Sequence, residues 1–95
     1  MAYVRVSLMK PMKGRDAEVL RLNRELVEFY REQAGCAQSH YLRPATEGGQ
    51  HGRVSFWASE ATADAAATLD HSMFLRSRLH LIVRKGHEEL SFYDE

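Results

Sequence analysis

The chain has 95 residues, of which 44% are hydrophobic and 27% are charged, which is the balance of a globular protein and excludes a disordered one. Its 13 basic residues are matched by 13 acidic ones, and no basic stripe suited to nucleic-acid phosphates is present. This length predicts one domain over residues 1–95. The core of such a small domain is modest, and small domains commonly gain stability by self-association.

The first half of the chain predicts a strand, a helix and a second strand. Side chains alternate in polarity over Tyr3–Lys10, which is the period of two typical of a strand. A helix is predicted from Asp16, its expected N-cap, to about residue 34, because apolar residues recur there at helical spacing. The second strand is predicted over Cys36–Arg43 and ends at a proline.

The second half predicts a strand, two helices and a last strand. A glycine-rich loop over residues 46–52, in which His51 is expected to be exposed, leads into a strand at Arg53–Ser59. Ser59 is the expected cap of an alanine-rich helix over residues 60–69. A break at residues 70–72 restarts a helix from about Ser72 to Val83, and residues 88–93 alternate again as a strand.

The order β-α-β-β-α-β predicts an α+β, ferredoxin-like fold with an antiparallel sheet and helices on one face. Alternation divides the sheet into two faces. The aliphatic face carries Val4, Val6, Leu8, Val54, Phe56, Leu90 and Phe92, and the aromatic face carries Tyr3, Met9, Tyr41, Trp57 and Tyr93 beside Arg5 and serines. Alternation alone does not decide which face meets the helices. We expect a second copy to cover the aromatic face in a sheet-to-sheet homodimer, because water would otherwise meet a large apolar patch.

No apolar run approaches the ~20 residues that cross a bilayer, and the N-terminus lacks the apolar core of a signal peptide. Cys36 is the single cysteine, so no disulfide forms within the chain. We therefore expect a cytoplasmic protein with neither membrane nor nucleic acid as a partner.

Two motifs resemble those of the antibiotic biosynthesis monooxygenase (ABM) family. The first motif, Phe56-Trp57-Ala58-Ser59-Glu60, ends a strand and leads into a helix whose first turn is acidic. The second, Asp70-His71, lies at the break before the last helix. The stretch KPMKGRDAEVL is similar to the family's first strand-to-helix turn. The resemblance implies a dimeric α+β barrel and one of several chemistries: cofactor-free oxidation of anthrone or quinol substrates, haem degradation, or isomerisation of a small signal molecule.

Departures from the family pattern separate these chemistries. Haem-degrading members carry an asparagine in the first strand, a tryptophan in the helix after the third strand and a histidine in the last helix. In this chain the first-strand position falls at Arg5 and its neighbours, the helix position at the alanines 65–67, and the last-helix position close to Arg78. None of these is the expected residue, which argues against haem degradation. Anthrone-oxidising members pair a strand-three asparagine with a tryptophan and a last-helix arginine. This chain has Trp57 and two candidate arginines, but Arg53 replaces the asparagine.

Three residues are the candidate catalytic groups. Trp57 suits stacking on a flat substrate, with its indole N–H donating to a developing oxyanion, or packing at a core or interface. His71 is the best-placed proton acceptor of the five histidines, or a helix N-terminal residue that bonds the local backbone. Arg78 would hold an enolate or phenolate, or be solvated at the surface.

Phe74, Tyr41 and Arg76 are the candidate substrate-binding residues. Arg76 and Arg78 lie two positions apart on one helix, on nearly opposite sides, so only one can point inward. Tyr41 and His40 take opposite faces of the second strand, so only one of them reaches a given pocket.

No motif in the chain indicates a bound cofactor. The histidine and cysteine spacings fit no metal site, and the sequence contains no phosphate loop, flavin or nicotinamide fingerprint or nucleophile elbow. The sequence thus favours a cofactor-independent monooxygenase that uses dioxygen on an aromatic polyketide, anthrone or quinol-like compound. The alternatives are a non-catalytic dimeric domain that binds a small ligand or has a structural role, and an isomerase of a small polar metabolite. A closed cavity ringed by His71, Arg78 and Trp57 would favour the oxygenase.

Overall fold

A computed structural model describes all 95 residues and confirms the predicted α+β fold. Its elements are, in chain order, β1 (Tyr3–Met9), α1 (Asp16–Arg31), β2 (Cys36–Leu42), β3 (His51–Trp57), α2 (Glu60–Ala67), α3 (Asp70–Ile82) and β4 (Glu88–Tyr93). The four strands form one antiparallel sheet in the order β2-β3-β1-β4, so β2 and β4 are its edges. None of the helices combines the length and the apolar character that a membrane crossing requires.

The helices cover the aromatic face of the sheet. Tyr3 lies opposite Trp57 on one side and Tyr93 on the other, so the three side chains share this face. Tyr3 and Trp57 belong to the buried core together with the apolar side of α1 and α3. The expectation that a second chain covers the aromatic face is therefore wrong, because the protein's own helices bury it.

The aliphatic face is left open in the single chain. Phe92 on β4 is 53% exposed, and Leu90 is also exposed, while Val6, Val54 and Phe56 on the central strands are half-buried. The wrong prediction has a physical cause: the aromatic face also carries buried polar groups, which bond to one another under the helices. Ser7, Ser55 and Arg53 are the buried polar groups of this kind.

One of the three predicted helix starts is confirmed, and two differ from the prediction. Ser59 caps α2 in a capping box with Thr62, as the sequence predicts. Asp16 lies in the first turn of α1 and makes no side-chain cap. Helix α3 begins at Asp70 rather than Ser72, because the Ser72 hydroxyl is buried and donates to the carbonyl of Ala66 at 2.6 Å instead of capping the helix.

The third strand begins two residues earlier than predicted and includes His51. The expectation that His51 is exposed is wrong: the residue is buried, and its Nδ1 pairs with the Tyr41 hydroxyl at 2.5 Å. Its Nε2 lies 3.6 Å from a carboxylate oxygen of Asp16. These contacts attach the start of β3 to β2 and to the first turn of α1.

Candidate active site

A polar cavity lies between the aromatic face of the sheet and the helices α2 and α3, and we call it the central cavity. It consists of two hollows that share three side chains: Arg53, Arg76 and Glu89 line both. The first hollow, beside Trp57 and α2, encloses about 370 Å³ with its mouth, and the second, at the end of α3, about 260 Å³. As the side chains stand, each hollow has room for only about one or two water molecules.

Trp57 forms an aromatic wall of the first hollow. The side chain is 2% exposed, and its ring meets that of Tyr30 edge to face at 5.6 Å between centroids. The indole N–H donates to the hydroxyl of Ser55 at 2.7 Å. Trp57 thus lines the hollow as an almost fully buried ring, and its indole N–H already has a partner within the protein.

Arg53 brings a buried positive charge to the same cavity. Its guanidinium donates to the Asn23 side-chain oxygen at 2.6 Å and to the Ser7 hydroxyl at 3.2 Å, both neutral acceptors. No carboxylate lies within ion-pair distance of Arg53. Burial lowers the pKa of Arg53; the charges of Tyr30 and Glu89 partly oppose this shift, and that of Arg76 adds to it.

The last helix directs Arg76, not Arg78, into the cavity. Arg76 follows buried Ser72 by one helical turn and donates to the Ala67 carbonyl at 3.2 Å, and its Nη2 lies 3.8 Å from Glu89. Arg78 lies on the outer side, where it donates to Glu18 at 3.1 Å. The Arg78 guanidinium lowers the pKa of that carboxyl. The prediction that Arg78 is the inward arginine is therefore wrong.

Three other predicted site residues lie away from the cavity. His71 is exposed and packs against Phe29 on the outside of α1, with 5.0 Å between ring centroids. Phe74 is 57% exposed on the outer side of α3, 5.8 Å from the Arg78 guanidinium. Tyr41 contacts His51 beside α1, and burial raises the pKa of its phenol. The structure thus brings Trp57 and Arg76 together and leaves His71, Arg78, Phe74 and Tyr41 outside.

The sequence analysis did not identify a pair of histidines in the second hollow, at the end of α3. His80 on α3 and His87 before β4 line the second hollow, and their rings meet edge to face at 4.5 Å between centroids. His80 is exposed overall, but partial burial of its ring lowers the pKa, and His87 and Arg76 add to that shift. A neutral imidazole is a proton acceptor, so this pair holds one at the cavity. No group of three or more histidine, cysteine or acidic residues lies in an arrangement that could hold a metal ion.

A comparison with protein families decides the relationship that the Trp57 motif indicates. The model of the family "Antibiotic biosynthesis monooxygenase" matches residues 1–73, from β1 into the start of α3. The chain belongs to the ABM family. The matched segment contains Trp57 and Arg53, whereas Arg76, His80 and Glu89 of this ABM protein lie beyond it. A search of curated proteins finds no significant match.

Solved structures with the same fold come from bacteria and an archaeon. Rv0793 from Mycobacterium tuberculosis aligns with a TM-score of 0.90 at 13% identity, covering 100% of this chain and 96% of its own. A conserved protein from Methanosarcina mazei Go1 aligns with a TM-score of 0.90 at 17% identity, covering 100% and 94%. SnoaB, a cofactor-independent oxygenase from Streptomyces nogalater, aligns with a TM-score of 0.81 at 15% identity, covering 100% and 95%. At these identities the likeness establishes the fold alone.

Proposed function

We propose that this ABM protein is a monooxygenase that works without a cofactor and uses dioxygen to oxidise an aromatic polyketide, anthrone or quinol-like compound. The observation that carries the proposal is the central cavity, where Trp57 and Arg76 line the same hollow. Family membership and a fold shared with the cofactor-independent oxygenase SnoaB support it. In this proposal Trp57 stacks on the substrate and Arg76 binds the anion that the substrate forms.

The proposed reaction begins with removal of an acidic proton from the substrate. His80 accepts that proton, in the role that the sequence suggested for His71, and the guanidinium of Arg76 stabilises the resulting enolate or phenolate. The electron-rich anion then passes one electron to dioxygen, and the radical pair recombines to a hydroperoxide. Loss of water from the hydroperoxide leaves a carbonyl where an anthrone carried CH₂. The protein contributes positioning, proton transfer and exclusion of water.

We also propose that the protein is a homodimer joined through the aliphatic face of the sheet. The helices already cover the other face, so this is the sheet surface left to a partner, and it carries Phe56, Leu90 and Phe92. A contiguous apolar surface of this kind is typical of an interface. A second copy placed there would form the sheet-to-sheet assembly that the family resemblance implies.

Oxygen uptake with anthrones and hydroquinones tests the oxygenase proposal. We expect uptake with the wild-type protein and a loss of at least tenfold in kcat/KM for Trp57→Phe and Arg76→Met. The matched comparison is Arg78→Met, because that arginine lies on the same helix and pairs with Glu18 outside the cavity. Equal activity in the wild type, Trp57→Phe and Arg76→Met, or a loss confined to Arg78→Met, would contradict the proposal.

The small volume of the cavity favours a second candidate function, a non-catalytic dimeric domain that binds a small ligand or has a structural role. Each hollow has room for only about one or two water molecules as the side chains stand. A ligand that binds tightly while no substrate of the proposed class consumes oxygen would identify this alternative.

A further inference from the structure

The charges that line the central cavity do not balance. Three arginines contribute guanidinium groups: Arg5, Arg53 and Arg76. Arg5 donates to Asp64 at 2.9 Å, and Arg76 faces Glu89 at 3.8 Å. Arg53 has no carboxylate partner, so one positive charge in the cavity is uncompensated.

Arg53 is also the most deeply buried of the three. Its residue is 8% exposed, and its two described hydrogen bonds go to neutral oxygens. A guanidinium has five N–H donors, so most of its hydrogen-bonding capacity is not used by these contacts. A charge buried without a counter-charge is costly, and an anion at this position would offset that cost.

Glu89 occupies the position that such an anion would take beside Arg76. It stands on the edge strand β4, its side chain is 40% exposed, and 3.8 Å to Arg76 is too long for a hydrogen bond. Glu89 is one of the three side chains shared by the two hollows. Because Glu89 is partly exposed at the sheet edge, its carboxylate has room to turn toward solvent, and that rotation would free the Arg76 guanidinium.

We propose that the central cavity binds a single-ring aromatic carboxylate, with the carboxylate between Arg53 and Arg76 in place of Glu89 and the ring against Trp57. The inference rests on the proposed function in that it narrows the substrates of the same cavity to single-ring, quinol-like compounds that carry a carboxylate, and it leaves out the three-ring anthrones. A guanidinium pair suits a carboxylate because the planar groups form parallel charge-assisted hydrogen bonds. As the side chains stand, the two hollows hold only a few water molecules between them. Even a single ring therefore requires the Glu89 side chain to move, and three fused rings would require far more rearrangement.

Calorimetric titration of the full-length protein with benzoate and with benzamide tests this proposal. The two probes have nearly the same shape and differ in charge, so we expect benzoate to bind at least tenfold more tightly. Arg76→Met should remove most of that preference, and Glu89→Gln should increase benzoate affinity severalfold because the competing carboxylate is gone. Arg21→Met is the control, since this arginine pairs with Glu25 on the exposed side of α1, and it should leave both affinities unchanged.

Equal affinity for the two probes, or no detectable benzoate binding at millimolar concentration, overturns the proposal. Arg53→Met should abolish the preference as well, and if that variant does not fold, Arg76→Met and Glu89→Gln still decide the result. Benzoate binding in a protein that consumes no oxygen with any substrate of the proposed class would refute the oxygenase and keep the carboxylate site. Oxygen uptake with an uncharged hydroquinone and no preference for benzoate would do the opposite.

Discussion

At the scale of single residues, the buried pair of Arg53 and Asn23 links the site to the stability of the fold. Asn23 is fully buried on α1, donates to the Val19 carbonyl at 3.0 Å and accepts from Arg53 at 2.6 Å. The same amide thus satisfies the helix backbone and positions the cationic group of the cavity. Few substitutions at this position can replace both contacts.

We predict that Asn23→Ala lowers the free energy of unfolding by about 2–3 kcal/mol, because it leaves a buried guanidinium N–H without an acceptor and creates a void. Urea denaturation followed by circular dichroism measures the change. Glu25→Ala on the exposed side of the same helix is the control, and surface substitutions of this kind usually stay within about 0.5 kcal/mol. A loss for Asn23→Ala no larger than that of the control would contradict the role assigned to the amide.

His80 makes a prediction about pH. The neutral imidazole is the proposed proton acceptor, so activity is present above the His80 pKa and is lost as the pH falls through it. Burial lowers this pKa, and the charges of His87 and Arg76 add to the shift, so the acid limb of kcat/KM should lie below the ordinary histidine value of about 6.5. His87→Gln removes one of the lowering charges and should move the limb to higher pH.

An NMR titration of the His80 ring protons gives the same pKa without reference to activity. The titration midpoint and the acid limb of kcat/KM should coincide in the wild type and shift together in His87→Gln. An acid limb that persists unchanged in His80→Gln would show that another group accepts the proton.

How much of the site the sequence predicts depends on the kind of contact involved. Trp57 is found because a strand motif marks it, and Arg53 is found as a departure at a family position. Arg76 and Arg78 cannot be separated from the sequence, because the inward side depends on how Ser72 packs. The pair of His80 and His87 is invisible, since the chain reversal between α3 and β4 brings the two rings together.

At the scale of elements, alternation locates the strands well because pleated strands expose and bury successive residues. The bounds of β4 match the prediction, and β1 and β2 each end one residue earlier than expected. The exception is β3, whose first residues, His51 and Gly52, carry a turn-like composition but pair with Met9 and Leu8. Here pairing with β1 overrides local propensity.

The junction between α1 and β2 depends on the absence of a side chain at Gly35. Its φ is +85°, and an added Cβ would lie 2.7 Å from the Thr62 side chain in the capping box of α2. We predict that Gly35→Ala destabilises the protein by about 2–3 kcal/mol, through backbone strain and this clash together. Thermal and urea unfolding measure the loss.

Gly14→Ala is the matched control for that prediction. Gly14 has a similar φ of +79° but nothing within 4 Å of an added Cβ. Gly14→Ala should therefore lower the free energy of unfolding by only about 1 kcal/mol, the cost of the strained backbone. Equal losses at the two positions would mean that α2 moves away from the clash at no cost.

At the scale of the whole molecule, the sheet has two largely apolar faces, and the sequence could not say which one the helices cover. Both faces show the alternation expected of a strand with one buried side. Apolar content alone would predict that the helices cover the aliphatic face. The decision lies in polar satisfaction: Ser7 and Ser55 accept from Arg53 and Trp57 of the same face, and Asn23 of α1 supplies the second acceptor for Arg53. The polar side chains of the aliphatic face, Gln38, His40 and Glu88, lie on the edge strands and are exposed, so this face does not need the helices and remains available to a second copy.

Phe56→Glu tests that assembly, because Phe56 lies on a central strand of the open face and stays within a sheet-to-sheet interface at any rotation of the partner. A carboxylate buried there costs several kcal/mol, so the dimer should weaken by about 100-fold or more. Sedimentation velocity should give twice the chain mass for the wild type and a single-chain mass for Phe56→Glu at micromolar concentration. Phe74→Glu introduces the same charge on the outer side of α3, where the ring is already 57% exposed, and should remain dimeric. A folded Phe56→Glu protein with unchanged mass would place the interface elsewhere.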